Sequence, residues 1–162
     1  MTLKAGQYVV TCHLTGGVLG RDRPDDRSGG PKPVVLFPSD SEHVEYDAYG
    51  VAGPTFVVEP QGNSRYILKI GGDPTLPIGR QLYTTPDGNT SGEKWVITQH
   101  RYQGPYTIET ADRSAGWAIV DDISPTGQIA VRPLLRMPGY PAPYPSDELF
   151  DFTPVEKARR RH

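Results

Sequence analysis

Six short hydrophobic patterns recur along the chain, each an aromatic residue followed two positions later by an aliphatic or a second aromatic residue. Side chains two positions apart lie on the same face of a β-strand, so each pair predicts the buried face of a half-exposed strand. Pairs that begin with tyrosine alternate with pairs that begin with phenylalanine or tryptophan. The six pairs are Tyr8/Val10, Phe56/Val58, Tyr66/Leu68, Trp95/Ile97, Tyr106/Ile108 and Phe150/Phe152.

The alternation divides the chain into three copies of one unit, at about residues 6–60, 61–100 and 101–155. Between the paired residues, further short apolar runs bounded by turn residues predict a second and a third strand in each copy. These runs are residues 18–20, 34–37, 77–79, 81–83, 116–119 and 128–131. Twelve short strands in three pseudo-symmetric repeats predict an all-β fold, and the β-trefoil is the closed architecture that such repeats favour.

The length of 162 residues suits one domain with a substantial core. We therefore predict a single β-trefoil domain over residues 1–156 and a disordered basic tail at residues 157–162. Insertions at residues 21–33 and 38–54 enlarge the first copy, and one at residues 135–147 enlarges the third. These insertions are where the repeat is broken.

The charge balance and the cysteine usage exclude several classes of partner and site. A net charge of −2 and an isoelectric point near 6.1 argue against nucleic acid or an anionic membrane as a partner. No apolar run is long enough for a signal peptide or a membrane span, so a cytoplasmic location is expected. The single cysteine excludes an intramolecular disulfide and a cysteine-based metal site. We expect Cys12 to pack in the core on the same face as Tyr8, Val10 and Leu14.

Catalytic signals are scarce in this sequence. It contains no His-Glu-x-x-His zinc motif, no phosphate-binding loop of the Walker type and no nucleophile elbow. His13 directly follows Cys12 on a predicted strand, so the two side chains point to opposite faces and cannot form a local dyad. We therefore expect no catalytic residue, no cofactor and no metal site, and we do not expect an enzyme.

The segment richest in candidate functional residues is the insertion at residues 21–33, which contains no apolar residue other than proline. A segment of this composition is expected to project into solvent. Its prolines restrict the backbone, and its arginines supply the long cation that the specificity pocket of a trypsin-like protease accepts. The alternative is a solvated loop whose arginine and aspartate side chains pair with one another. The candidate protease-contacting residues are Arg23, Pro24, Asp25, Asp26, Arg27, Ser28, Gly29 and Gly30.

Four stretches of the chain resemble the mushroom β-trefoil serine protease inhibitors. They are residues 19–21, residues 26–28 with 31–34, residues 128–134, and residues 148–150. The likeness runs in order along nearly the whole chain. It implies the β-trefoil fold, storage in the cytoplasm, and reversible inhibition of a trypsin-like serine protease through one surface loop. We expect the inhibitor to be a monomer whose partner is that protease.

Within this family the reactive loop differs between members, and in one of them it joins the second and third strands, here residues 21–33. We prefer Arg27 as the residue that enters the protease pocket, because the small Ser28 follows it. Arg23 and Lys32 are less suitable, since each precedes a proline that obstructs the primed side of the protease site. In the alternative, Arg27 braces the loop and another position enters the pocket. The reserve candidate is the second Asp-Arg-Ser run, which consists of Asp112, Arg113 and Ser114.

Two other functions remain open at this point. The first is a carbohydrate-binding β-trefoil lectin, although the sequence lacks the repeated Gln-x-Trp motif. With only Trp95 and Trp117 available, an aromatic sugar platform in every repeat is excluded. The second is a cysteine protease inhibitor that acts through another loop, for which the glycine-rich turn at residues 70–73 is the candidate.

Overall fold

The computed structural model contains twelve β-strands and one short 3-10 turn within the residues it describes. The strands are β1 (Gly6–Cys12), β2 (Val18–Arg21), β3 (Lys32–Phe37), β4 (Phe56–Gly62), β5 (Arg65–Ile70), β6 (Asp73–Ile78), β7 (Gln81–Thr84), β8 (Trp95–Gln99), β9 (Tyr106–Glu109), β10 (Gly116–Ala118), β11 (Ala130–Arg132) and β12 (Phe150–Pro154), and the 3-10 turn is Ser146–Glu148. The described residues are 3–14, 16–21, 31–37, 55–70, 72–85, 92–100, 105–119, 128–134 and 145–155. No helix within these ranges is long and apolar enough to cross a membrane. The predicted tail and most of the predicted insertions lie outside them.

The six aromatic pairs form the inner faces of six different strands, as their spacing predicts. Ten of the twelve side chains are buried, and the other two, Tyr106 and Phe152, are partly buried against the same core. In β5 the alternation is complete, because Tyr66, Leu68 and Ile70 are buried and the residues between them are not. Burying a large apolar side chain stabilises a fold by about 1.5–3 kcal/mol. The repeated pairs therefore hold the sheet together.

The strands pair antiparallel in one sheet that closes on itself. Following the pairs from β4 through β1, β2, β3, β7, β11, β10, β9, β8 and β5 leads back to β4, so ten strands form a closed ring. Of the two remaining strands, β12 pairs with β1 and β9, and β6 pairs with β5 and β7. The fold is thus a closed antiparallel β-barrel of ten strands with two additional strands.

The prediction of a β-trefoil is wrong, although the all-β class is confirmed. If the three repeats were equivalent, the third strand of each repeat would pair with the third strand of the next in the same way. Instead, β7 pairs with both β3 and β11, whereas β3 and β11 do not pair with each other within the described residues. Val35 of β3 forms a single bridge to Gln128, which precedes β11. The third unit also has the shortest strands, with three residues each in β10 and β11. Unequal strand lengths therefore make the three units unequal in their pairing.

Trp117 lies at the centre of the core, although it belongs to none of the six pairs. Its ring meets Trp95 and Phe150 edge-on, at centroid distances of 5.4 and 6.0 Å, and lies 6.2 Å from the ring of Phe56. These four rings come from β10, β8, β12 and β4, and all are fully buried. Edge-to-face packing of this kind is favourable for aromatic rings. One aromatic cluster thus joins strands from distant parts of the chain.

Two local predictions need correction and two are confirmed. Cys12 is buried and the following His13 is exposed, so they do point to opposite faces. Leu14, predicted to share the buried face, is 51% exposed, because β1 ends at Cys12 and the amide of Gly16 donates to the Cys12 carbonyl across a tight turn. The strand predicted at residues 77–79 begins earlier, at Asp73, and ends before Gly79.

Candidate functional site

The predicted protease-binding loop begins and ends on a rigid pair of strands. β2 and β3 pair along four positions, and the last of these sets Arg21 opposite Val34. Leu19 and Val34 in this hairpin are fully buried. The ends of the intervening segment are therefore held next to each other by buried strands. The candidate residues Arg23, Pro24, Asp25, Asp26, Arg27, Ser28, Gly29 and Gly30 lie outside the described residues.

A second set of contacts ties the base of this loop to neighbouring strands. Lys32 and Pro33 pair with the end of β7. The amide of Ile129 donates to the carbonyl of Val34 at 2.9 Å, and the amide of Leu82 donates to the carbonyl of Ile129 at 2.9 Å. The base of the loop is thus supported from β7 and from the segment before β11. Such support from packed strands is what a binding loop needs to keep one conformation.

The predicted limits of the loop are too wide at both ends. Arg21 belongs to β2, and Lys32 and Pro33 belong to β3. Lys32 is only 9% exposed, so its side chain is not presented to a protease pocket. The sequence pattern missed this because a lysine followed by proline is more typical of a loop than of a strand. The segment between the paired strand ends is residues 22–31.

Two of the stretches that carry the family resemblance are joined by a buried ion pair. Arg132 follows Val131 at the end of β11, and Glu148 ends the 3-10 turn. An Nη1 proton of Arg132 is donated to Oε2 of Glu148 at 2.8 Å, and the glutamate is fully buried. Arg132 also lies 3.9 Å from Oδ2 of Asp147. These residues therefore connect two distant segments and have a structural role.

The reserve run at residues 112–114 forms a tight turn between β9 and β10. Oδ1 of Asp112 accepts hydrogen bonds from the Thr110 hydroxyl at 2.7 Å and from the Ser114 hydroxyl and amide at 2.7 and 3.0 Å. These hydrogen bonds, the one from Thr110 first, lower the pKa of Asp112 to about 2. The carboxylate is therefore ionised at neutral pH and holds the turn together.

Arg113 has a left-handed backbone in this turn, with φ at 62°. Its amide donates to the carbonyl of Thr110 at 2.8 Å, which closes the turn. A segment that binds a protease like a substrate has to pair in extended form, with a negative φ. The conformation of Arg113 differs from that requirement, so the turn does not offer a substrate-like backbone. Whether Arg113 contacts a protease stays a prediction.

The side chain of Arg113 lies over a cleft of about 430 Å³. The cleft is bounded by the β4–β5 turn, by β8 and by the turn that carries Arg113. Its polar lining residues are Asn63, Ser64, Arg65, Thr98, Gln99 and Arg113. Sequence reasoning missed this group, since its members lie far apart in the chain and belong to no known motif. The repeated Asp-Arg-Ser run was the one signal that pointed to it.

No cluster of three or more histidine, cysteine, aspartate or glutamate residues in the described ranges could hold a metal ion. Nδ1 of His13 lies 3.0 Å from Oδ2 of Asp151, and both side chains are more than 40% exposed. This contact is a surface hydrogen bond between His13, which follows β1, and β12. Its exposure is that of a solvated surface contact and not that of a buried catalytic dyad.

Several solved structures of low sequence identity share this fold. A salivary protein from Culex quinquefasciatus of the cysteine and tryptophan-rich family is 14% identical, with a TM-score of 0.63 over 96% of this chain and 97% of that chain. A Polyporus squamosus lectin, solved with a bound influenza-binding glycan epitope, is 9% identical, with a TM-score of 0.60 over 94% of this chain and 50% of that chain. At these identities the likeness concerns the fold alone.

Closer similarity is found to peptidase inhibitors. The family model for peptidase inhibitor I66 matches residues 1–154. A proteinase inhibitor from Coprinopsis cinerea is 33% identical, and its structure has a TM-score of 0.78 over 95% of this chain and 100% of that chain. No curated protein matches the chain significantly. The match of both sequence and structure over almost the entire length shows that this chain belongs to the peptidase inhibitor I66 family, so it is an inhibitor of peptidases and not an enzyme.

Proposed function

We propose that the protein inhibits trypsin-like serine proteases reversibly, by inserting the loop between β2 and β3 into the protease in the manner of a substrate. The observation that carries the proposal is the pairing of Arg21 with Val34, which holds the ends of an arginine-bearing segment together on buried strands. A loop with its ends fixed loses less conformational entropy on binding than a free peptide does. One inhibitor monomer would bind one protease molecule.

Arg27 is the residue that we place in the specificity pocket. A trypsin-like pocket takes a long cation, and the next residue has to be small or flexible enough to enter the primed side. Ser28 meets this condition, whereas Arg23 is followed by Pro24. Arg21 and Lys32 belong to the paired strands β2 and β3, and Lys32 is buried, so neither is a candidate. Arg27 is thus the cation of the loop that best fits the pocket.

The first test is a titration of trypsin with the purified protein and with three single variants. We expect stoichiometric inhibition by the wild type and by Arg27→Lys, since lysine also fits the pocket. Arg27→Glu should weaken inhibition by at least a hundredfold, because the pocket aspartate repels a carboxylate. Arg113→Glu is the matched control for the same charge change in the reserve turn. Its inhibition constant for trypsin should lie within threefold of the wild-type value.

Thermal melts of all variants separate loss of binding from loss of folding. Unchanged inhibition by Arg27→Glu would remove Arg27 from the pocket role. Loss of inhibition with Arg113→Glu but not with Arg27→Glu would transfer that role to the turn between β9 and β10. A wild-type protein that leaves trypsin fully active but blocks papain would overturn the serine protease proposal in favour of a cysteine protease inhibitor.

A further inference from the structure

Among the described residues that line the cleft beside Arg113, two are cations and none is an anion. Arg65 and Arg113 are its charged residues, and the other polar side chains are those of Asn63, Ser64, Thr98 and Gln99. Its volume of about 430 Å³ falls within the ~300–1,000 Å³ range of small-molecule sites. The lining therefore favours a small anionic ligand with further hydrogen-bonding groups.

Neither guanidinium is held by a strong ion pair with a described residue. Arg65 donates to two backbone carbonyls, those of Asn63 at 3.1 Å and Ala111 at 2.9 Å. Nε of Arg113 lies 3.7 Å from Oε1 of Glu109, and its Nη2 lies 3.4 Å from Oγ1 of Thr98. Both distances exceed the ~2.7–3.2 Å of good N–H···O hydrogen bonds. A carboxylate that approached Arg113 would therefore find a cation that is only loosely engaged.

Left-handed backbone conformations are concentrated in the same place. Among the described residues, three non-glycine positions have a left-handed backbone: Asn63 at φ 55°, Ser64 at φ 62° and Arg113 at φ 62°. All three line the cleft. Conformations of this kind are costly for residues other than glycine, and they cluster at binding sites, where the surrounding structure enforces them. Asn63 and Ser64 are the two turn residues of the β4–β5 hairpin, and a positive φ at both is the usual geometry of such a turn. Two tight turns thus give the cleft its walls.

The walls of the cleft are also fastened to each other. The hydrogen bond from Arg65 to the Ala111 carbonyl crosses from β5 to the turn that carries Arg113. On the other side of the same residue, the amide of Ala111 donates to Oε2 of Glu93 at 2.7 Å. The turn is thus held from two directions. A site whose walls are fixed before binding loses less entropy when a ligand enters.

We propose that this cleft binds a small carboxylate-bearing molecule of about the size of a hexuronate or an acidic amino acid. The planar guanidinium of Arg113 forms two parallel hydrogen bonds to the carboxylate, a geometry that guanidinium and carboxylate share. Arg65 adds a second positive charge, and Thr98 and Asn63 supply hydrogen-bonding groups for the rest of the ligand. This site is separate from the loop between β2 and β3.

The proposal is tested by NMR titration of the ¹⁵N-labelled protein at low salt. One arm uses glucuronate with glucose as its neutral counterpart, and the other uses N-acetyl-aspartate amide with N-acetyl-asparagine amide. We expect the carboxylates, and not the neutral molecules, to shift the signals of Thr98 and of both arginine side chains. The two arms distinguish an acidic sugar from an acidic peptide as the source of the carboxylate.

Two variants that remove one positive charge each make the test specific. Arg113→Gln should weaken binding of the carboxylate at least fivefold. Arg80→Gln removes the same charge from an exposed position in the β6–β7 turn, outside the cleft. Its dissociation constant for the carboxylate should lie within twofold of the wild-type value. Equal binding by the two variants would overturn the proposal, as would equal shifts from the neutral molecules or none from either carboxylate. The thermal melt of each variant shows that it is folded.

Discussion

A single exposed carboxylate organises the turn between β9 and β10. Asp112 accepts three hydrogen bonds through one oxygen, from Thr110 and from two groups of Ser114. Aspartate is well suited to this role because its short side chain reaches the amide two residues further along. The neighbouring Arg113 is thereby held in its left-handed conformation. The turn owes its shape to hydrogen bonding and not to burial.

The lowered pKa of Asp112 predicts a pH-dependent contribution to stability. The pKa is about 2 in the folded protein against an ordinary value of 3.8, so the contribution is complete above about pH 4 and is lost as the pH falls towards 2. Asp112→Asn keeps the shape and the acceptor oxygen but removes the charge. We expect its melting temperature to lie below that of the wild type at pH 6, and the difference to disappear near pH 2.

Circular dichroism melts of both proteins from pH 6 down to pH 2 measure this difference directly. A gap that stays constant over the whole range would contradict the prediction, since it would show that the charge of Asp112 does not contribute. Salt should narrow the gap only slightly, because short hydrogen bonds are screened less than distant charges are.

At the scale of elements, Arg132 and Glu148 fasten β11 to the 3-10 turn that precedes β12. The carboxylate is fully buried, whereas the arginine side chain keeps 27% of its exposure. A buried carboxylate that loses its arginine is strongly destabilising, because the desolvation of the charge is offset less. Removing Arg132 alone should therefore lower the stability of the protein strongly.

Arg132→Leu should destabilise the protein by about 3 kcal/mol. Lys69→Leu breaks the partly exposed pair with Glu59, in which the two atoms lie 3.4 Å apart, and should cost below ~1 kcal/mol. Urea denaturation followed by circular dichroism measures both. The double variant Arg132→Leu/Glu148→Leu should recover part of the loss, because no charge is left buried. Equal losses of stability in Arg132→Leu and Lys69→Leu would show that the burial of Glu148 is unimportant.

The elements were predictable from sequence wherever burial acts on one face of a strand. Period-two alternation placed Tyr66 and Leu68 correctly, because one side of β5 faces the core. Leu14 was misplaced, since the pattern does not show that a turn ends β1 at Cys12. The unequal pairing of β3, β7 and β11 also escaped prediction, because it depends on strand lengths and registers and not on which residues are apolar.

The candidate sites differ in how far the sequence could define them. The loop between β2 and β3 was recognisable from its composition, because a segment without apolar side chains has to leave the core. The cleft was not recognisable, since Ser64, Thr98 and Arg113 come together only in the folded chain. No local pattern encodes that a serine will adopt a left-handed backbone.

At the scale of the whole molecule, one aromatic cluster around Trp117 links strands from all parts of the chain. The ring packs against three others from β4, β8 and β12. Its indole nitrogen is buried and has no hydrogen-bond partner among the described residues. The contribution of Trp117 to stability therefore comes from packing, and not from its polar group.

If Trp117 stabilises the fold through packing alone, two substitutions of this residue should differ in how much stability they remove. Trp117→Ala should cost about 3–5 kcal/mol, the usual range for a large aromatic side chain removed from a core. Trp117→Phe should cost at most about 2 kcal/mol, because it keeps a ring and removes an N–H group without a partner. Urea denaturation measures both values. Equal losses would contradict this view, since they would show that a smaller ring in the same place keeps none of the stabilisation from packing.

The closure of the sheet, completed where β1 pairs with β4, bears on how such an inhibitor survives its target. A protease cleaves a segment only after that segment has opened into an extended strand of its own. In a ring of paired strands each strand is held by two neighbours, so opening one of them disturbs the whole structure. We therefore expect the barrel to resist cleavage by the peptidase that it inhibits.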